Sequence, residues 1–393
     1  MPALDGRRIW FVGIGGAGLS AYAFLARAWG AEVGGWDRVR TPYLDALDGV
    51  TIDIGPEPTA PEGWEVVVSS AYRERVHGRS RADFLAELVS LRRSIVVAGA
   101  HGKTTTAAMI AFCLERLGRD PALAIGGEVP QLGGNARAGE GWFVVEGDES
   151  DRTIASLRPE IAVVTNVDLD HHSEFASRAE VEGLFETWLA EVPHVVRGDE
   201  LAPADVPLSV AGDHNRRNAA AALAALELAG VPRGEAAPVL GGFRGVGRRL
   251  ERVGVVRGVS VYDDYAHNPA KLAAVLAAAR ELTTGRVIAL FQPHLYSRTA
   301  HTADELAAAL AAADAVAVTD VYRAREEPVE GVSGKLVVDA LATIRPGMDV
   351  GWTPALEEGA RFVVRRARSG DLALTVGAGD VDRAARLVVE SLA

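Results

Sequence analysis

Short, continuously apolar runs recur along the chain, separated by alanine-rich stretches with helical spacing. The runs lie at 9–12, 66–69, 95–98, 143–146, 161–165, 260–262, 287–291, 315–319 and 372–376. Brief unbroken apolar runs are what strands covered on both faces require. Helical stretches at 219–229, 270–281 and 303–313 fall between them. Alternation of this kind predicts α/β domains with mainly parallel sheets. A fresh strand and glycine loop follow Arg93, and glycines cluster at Gly241, Gly242, Gly245 and Gly247. These breaks predict domains at 1–93, 94–242 and 243–393. The segment 192–207, with its prolines and acids, reads as a loop.

Composition narrows the possibilities. A chain of 393 residues exceeds one ordinary core, so two or three domains are expected. The net charge of −12 argues against nucleic acid as a partner. The lone cysteine, Cys113, excludes an internal disulfide framework and any zinc site built on two thiolates. A strand and glycine loop follow the N-terminus directly, and no apolar run is long enough to span a bilayer. The expectation is a cytoplasmic protein without membrane insertion.

The candidate chemistry sits where strands end. Gly13-Ile-Gly15-Gly16-Ala-Gly18 follows the first run and opens a helix. Gly13 suits a tight turn, Gly15 lets backbone amides approach a diphosphate, and Gly18 suits close helix–strand packing. Asp37 ends the next strand, where a ribose-binding acid would stand. Alone, this pattern spells a nicotinamide dinucleotide site. A second loop, Ala98-Gly99-Ala100-His101-Gly102-Lys103-Thr104-Thr105-Thr106, also lies between strand and helix. It departs from the standard phosphate loop, because Val97 stands where a glycine belongs. The physics is the same: glycines free the backbone to wrap phosphate, Lys103 supplies charge, and Thr104 offers a hydroxyl to magnesium. Lys103 is one of only three lysines, with Lys271 and Lys335.

Four further clusters follow. Glu146-Gly-Asp148-Glu149-Ser150-Asp151 supplies hard oxygens suited to magnesium, although a solvated acidic loop accounts for it equally well. Thr165-Asn166-Val-Asp168-Leu-Asp170-His171-His172 offers His171 to metal or phosphate. Gly212-Asp-His214-Asn215-Arg-Arg-Asn218 opens a helix, with capping as the plainer alternative. The last third gathers Arg248-Arg249-Leu-Glu251, Asp263-Asp264-Tyr265-Ala-His267-Asn268 and Gln292-Pro-His294-Leu-Tyr-Ser-Arg298.

In this order, these motifs resemble the Mur ligase family over nearly the whole chain. The resemblance implies three domains: an N-terminal Rossmann-like domain, a central P-loop ATPase and a C-terminal Rossmann-like domain. It implies ATP and magnesium as cofactors, and UDP-N-acetylmuramate and L-alanine as partners joined through an acyl phosphate. The diphosphate on Gly13, Gly15, Gly16, Gly18 and Asp37 is then that of UDP. ATP is expected on Gly99, His101, Gly102, Lys103, Thr104, Thr105, Asn218, Arg249 and Asp264. Metal is expected on Thr104, Glu146 and His171, with Lys103, His171, His267 and Arg298 catalytic. His267, His294 and Arg298 are expected to hold the amino acid. Monomer and homodimer stay equally open. Asn268 replaces a frequent histidine, Leu295 replaces an arginine of some members, and segments 70–92 and 189–211 are short. A tripeptide-adding member, a non-catalytic nucleotide-binding regulator and a nicotinamide oxidoreductase are the competing readings.

Overall fold

The computed structural model of the protein describes residues 3–149, 152–168, 175, 177–324 and 326–393. Its chain contacts separate two compact units, 1–209 with 215–246 and 210–214 with 247–393.

The first unit holds two sheets. The N-terminal sheet comprises β1 (Arg8–Val12), β2 (Glu32–Asp37), β3 (Thr51–Ile54), β4 (Glu65–Val68) and β5 (Arg79–Ser80), all parallel, in the order β3-β2-β1-β4-β5. Helices α1 (Ala17–Ala28) and α2 (Arg81–Ser90) bury Leu25, Phe84 and Leu88 in a core that includes Phe11 of β1. A second, aromatic cluster joins Trp10, Trp36 and Val68 to Trp64 and Tyr72. Trp10 packs edge-on to Trp64 at 5.6 Å, and Trp36 edge-on to Tyr72 at 5.1 Å. Large rings bury much apolar area per residue, so a few suffice to cover strand surface where the chain is short.

The second sheet comprises β6 (Ser94–Ala98), β7 (Ala122–Val129), β8 (Gly134–Arg137), β9 (Phe143–Glu146), β10 (Ile161–Val164) and β11 (His194–Arg197), in the order β11-β10-β6-β9-β7-β8. Only the β7–β8 pairing is antiparallel. The helices are α3 (Lys103–Arg116), α4 (Arg178–Leu189), α5 (Asp213–Leu228) and α6 (Arg233–Leu240). Helix α3 is buried from Thr104 to Leu114, which suits a helix apolar on every side. Cys113 lies within it, and burial pushes its thiol up to about 12. It is an inert packing residue.

The second unit builds the third sheet from β12 (Glu251–Val256), β13 (Val259–Asp264), β14 (Val287–Phe291), β15 (Ala315–Val318), β16 (Asp349–Trp352) and β17 (Leu372–Val376). The order is β12-β13-β17-β14-β15-β16, with only β12 antiparallel to its neighbour. Helices α7 (Pro269–Glu281), α8 (Tyr296–Leu310), α9 (Lys335–Ile344), α10 (Leu356–Arg366) and α11 (Asp382–Leu392) complete separate cores on its two faces.

The nine strands expected from apolar runs are all present. The reading of 192–207 as a loop needs correction, because β11 lies inside it. This edge strand keeps only Val196 buried, so it carries no apolar run for a pattern to find.

Candidate active site

Both glycine loops of the first unit leave the carboxyl end of a central strand, β1 or β6, where ligands bind in open parallel sheets. In the phosphate loop, Gly99 and Gly102 have φ of +129° and +82°, conformations that glycine adopts without strain. A side chain at Gly99 would strike Thr165 and Asn166, and one at Gly102 would strike Asn218. Thr165 and Asn166 brace the turn between them. Asn166 Oδ1 accepts from the His101 amide at 3.0 Å, and the His101 carbonyl accepts from Asn166 Nδ2 at 2.9 Å and Thr165 Oγ1 at 2.5 Å. Asn218 is buried against the loop and donates to Asn215 Oδ1 at 3.3 Å. No side chain caps α3, so its first amides face the loop with the favourable end of the helix dipole.

Lys103 begins that helix. Its Nζ donates to Gly99 O at 2.5 Å and to both oxygens of Glu149 at 2.9 Å. Thr104 Oγ1 donates to Glu146 Oε2 at 3.1 Å, while Glu146 Oε1 accepts the Gly126 amide at 2.6 Å. Thr105 is buried in the same turn. Thr104 and Glu146 pair a hydroxyl with a carboxylate, the hard donor set that suits magnesium, an ion that keeps several waters. Among the described residues, no group of three or more His, Cys, Asp or Glu side chains could hold a metal ion. The third expected ligand, His171, lies outside the described residues.

The N-terminal loop is built differently. Asp37 Oδ2 accepts the Gly15 amide at 2.7 Å, Asp37 Oδ1 accepts from Arg38, and Thr41 Oγ1 donates to Gly15 O at 2.7 Å. Asp37 is therefore tied to the loop itself. A side chain at Gly13 would meet Ser69 Oγ at 2.6 Å, so the end of β4 closes against this turn. Gly16 is the uncapped N-cap of α1. The packing role expected of Gly18 needs correction: a side chain there would meet nothing within 4 Å. Gly18 instead lines a cavity of about 200 Å³ together with Tyr22, Arg81, Lys103, Glu146 and Asp148. Arg81 Nη2 lies 3.8 Å from Asp148 Oδ2 across it. The first turns of the helices that follow the two glycine loops thus line one space, through Gly18 and Lys103.

In the second unit, the motifs after β13 and β14 meet. His267 Nδ1 donates to Tyr265 O at 2.9 Å, which leaves Nε2 as the ring acceptor. The His267 and His294 rings lie 5.7 Å apart, and His294 stacks on Tyr322 at 5.9 Å. Arg298 Nη1 donates to His294 Nδ1 at 3.2 Å. Burial, reinforced by Lys271, pushes the His267 imidazole down to about 3; burial and Arg298 push His294 down to about 4. Both rings are neutral at neutral pH. Leu295, directly after His294, has φ +70°, a strained backbone for a leucine. Asn268 caps α7 by accepting from the Lys271 amide at 2.9 Å.

Asp264 accepts the Leu250 and Ala266 amides at 2.6 and 2.7 Å. Arg248 is held by Asp263 at 3.2 Å and by the Gly377 and Gly379 carbonyls. Burial pushes Asp263 up to about 6, opposed by Thr375 and Arg248. This clamp fixes the loop from which Arg249 reaches over the Tyr265 ring at 5.3 Å. Sequence reasoning passed over Arg81, Tyr322 and the specific role of Glu149. Only Tyr322 left a usable sign, its place just beyond the strand that ends at Val318.

The Mur ligase middle domain matches residues 97–187, and the Mur ligase glutamate ligase domain matches residues 248–379. The chain is similar to the UDP-N-acetylmuramate–L-alanine ligase of Streptomyces coelicolor, at 40% identity over 94% of each chain. It is similar to the same-named protein of Renibacterium salmoninarum at 38%, over 98% of this chain and 96% of the other. Among solved structures it resembles the UDP-N-acetylmuramate–alanine ligase of Thermotoga maritima, with TM-score 0.82 and 27% identity over 98% of each chain. A murein peptide ligase from Psychrobacter arcticus shares the fold, with TM-score 0.66 and 24% identity over 98% of this chain and 99% of that one. With near-full-length relatives at this identity and both domain matches falling on the motifs described above, the chain belongs to the Mur ligase family.

Proposed function

We propose that this protein is an ATP-dependent ligase that joins L-alanine to the lactyl carboxylate of UDP-N-acetylmuramate, in peptidoglycan synthesis. The observation that carries the reading is the shared cavity. Lys103 of the phosphate loop and Gly18 behind the N-terminal loop line one space, so a sugar anchored by its diphosphate can bring a carboxylate to the transferred phosphoryl group.

In this reading, Gly13, Gly15, Gly16 and Gly18 shape the turn on which the UDP diphosphate rests, the uncapped N-terminus of α1 attracts its charge, and Asp37 braces the loop through the Gly15 amide. Gly99, His101, Gly102 and Thr105 wrap the ATP phosphates and Asn218 flanks the base; Arg249 and Asp264 are carried over from the family resemblance as further ATP-binding residues. Magnesium would be held by Thr104 and Glu146, with His171 as a further ligand, and when bound it offsets charge on the phosphate oxygens. Lys103 stabilises charge on the γ-phosphoryl group while the carboxylate oxygen attacks phosphorus and ADP leaves. The neutral amine of alanine then attacks the acyl carbon, loses a proton, and expels phosphate. Arg298 grips the amino-acid carboxylate, and His294 orients that guanidinium. His267 offers its Nε2 lone pair to the amine; with its basicity depressed to about 3, it orients an N–H more readily than it takes a proton.

The divisions near residues 93 and 242 would separate sugar-binding, ATP-binding and amino-acid-binding domains. No helix among the described residues is long and apolar enough to cross a membrane. Both nucleotide substrates belong to cytoplasmic pools, and we place the reaction there.

The test is ATP-dependent product formation, followed by phosphate release and mass spectrometry, with alanine, glycine, L-serine and the tripeptide in parallel. Glycine and serine are expected to be weaker acceptors by about 1–3 kcal/mol, the usual worth of one small group in a pocket. Use of the tripeptide far ahead of alanine would replace this reading with that of a recycling ligase.

A further inference from the structure

The lysine on which phosphoryl transfer depends already has all its donors engaged. Lys103 Nζ makes one contact to Gly99 O and two to Glu149, which together match the three N–H groups of an ammonium. Glu149 is only 2% exposed, and it lies three positions beyond the end of β9. It presents two anionic oxygens to the lysine, the same chemical face that a terminal phosphate offers.

We propose that Glu149 is a positioning residue that determines discrimination between nucleoside triphosphate and diphosphate. Glu149 stands in for the γ-phosphate. It holds Lys103 over the loop when no terminal phosphate is present and yields it when a triphosphate enters. The inference rests on the ligase reading, because it requires Lys103 to meet a terminal phosphate. A diphosphate leaves the Lys103–Glu149 pair closed. A triphosphate must open it, and the free energy of that pair is subtracted from its binding. After transfer, ADP no longer holds the lysine, so the pair closes again and favours release.

The experiment measures equilibrium binding of a non-hydrolysable ATP analogue and of ADP to the full chain, as wild type, Glu149→Gln and Glu149→Asp. Steady-state kcat and KM for ATP are measured alongside. Glu149→Gln is expected to bind the analogue about 5- to 20-fold more tightly and ADP within about 2-fold of wild type. Its kcat is expected to fall about 10-fold or more, because the lysine loses its aim, so KM and kcat part company. Glu149→Asp draws the charge back by one methylene and should fall between the two, with the analogue tightened about 2- to 5-fold. A carboxylate with a merely structural role would move both nucleotides together. Equal shifts for analogue and ADP, or no shift, overturn the inference alone. If Glu149→Gln does not fold, as judged by melting, a wild-type ratio of the two affinities in Glu149→Asp overturns it. A wild-type protein that binds neither nucleotide overturns the ligase reading, and this inference with it.

Discussion

The two glycine loops of the first unit follow one plan and reach opposite electrostatic ends. Each leaves a buried parallel strand, turns on glycines and starts a helix with no side-chain cap. In the N-terminal loop the inner amide of Gly15 is already taken by Asp37, and no cation follows. In the phosphate loop the turn is braced from outside by Thr165 and Asn166, and Lys103 stands at the first helical position. The first arrangement can hold a diphosphate that remains unchanged. The second places a lysine ammonium at the start of the helix, where the proposed reaction would transfer phosphate. A strand–glycine–helix turn is therefore a general anion cradle, and what it does with the anion is set by the residue that opens the helix.

The contrast is broken most severely at Lys103. Lys103→Met should lower kcat about a thousandfold or more, the loss of roughly 4 kcal/mol of transition-state stabilisation, as read by phosphate release. It also leaves the buried Glu149 carboxylate without its lysine, which should cost about 2–4 kcal/mol of stability. Lys103→Met combined with Glu149→Gln should restore the melting temperature and leave turnover abolished. Recovery of turnover in the double variant would show that the lysine serves the fold alone.

Damage to the other loop should affect a different ligand. A methyl at Gly15 would sit 2.8 Å from Asp37 Oδ2 and 3.1 Å from Thr41 Oγ1. Gly15→Ala should weaken UDP-N-acetylmuramate by about 10- to 100-fold and leave ATP-analogue affinity unchanged in parallel titrations of tryptophan fluorescence. Wild-type protein should respond to the UDP sugar and not to NADH. An equal loss for both nucleotides would mean that the loops are not independent cradles.

An effect of comparable size is expected in the second unit. Arg298→Ala should raise the KM for alanine about 10- to 100-fold, through loss of a charge-assisted pair with the carboxylate, and change the ATP KM little. A matching rise in both KM values would remove Arg298 from the amino-acid site.

The smallest effect is on pH. His267 and His294 titrate at about 3 and 4 when folded, below the ordinary 6.5. Between those values the unfolded chain takes up protons that the folded chain refuses. Their contribution to stability is therefore complete above about pH 6.5 and lost as pH falls towards about 4 for His294 and about 3 for His267. Both rings are only partly buried, so the melting temperature should drop by just about 2–5 °C between pH 7 and pH 5 on their account. Replacing both, by His267→Asn and His294→Gln, should flatten that slope; an unchanged slope would assign it to other groups.

The architecture and the phosphate chemistry were legible along the chain for a common reason. Apolar runs at 95–98 and 143–146 and the residues Gly99, Gly102 and Lys103 are local signals, because strand burial and loop conformation depend on a few consecutive residues. Edge elements such as β11 escaped detection because a half-exposed strand needs no apolar run. Partnerships lay beyond local reach. Asp37 has the right spacing for a ribose and is spent on its own loop, and Gly18 opens on a cavity instead of packing on a strand. The pairing of Lys103 with Glu149, 46 positions away, exists only because β6 and β9 are neighbours in one sheet. Residue type and spacing carry the kinds of chemistry available at each strand end. Which charges meet, and which are left to meet a ligand, depends on long-range strand order, since electrostatic and hydrogen-bond partnerships act through space over a few ångströms.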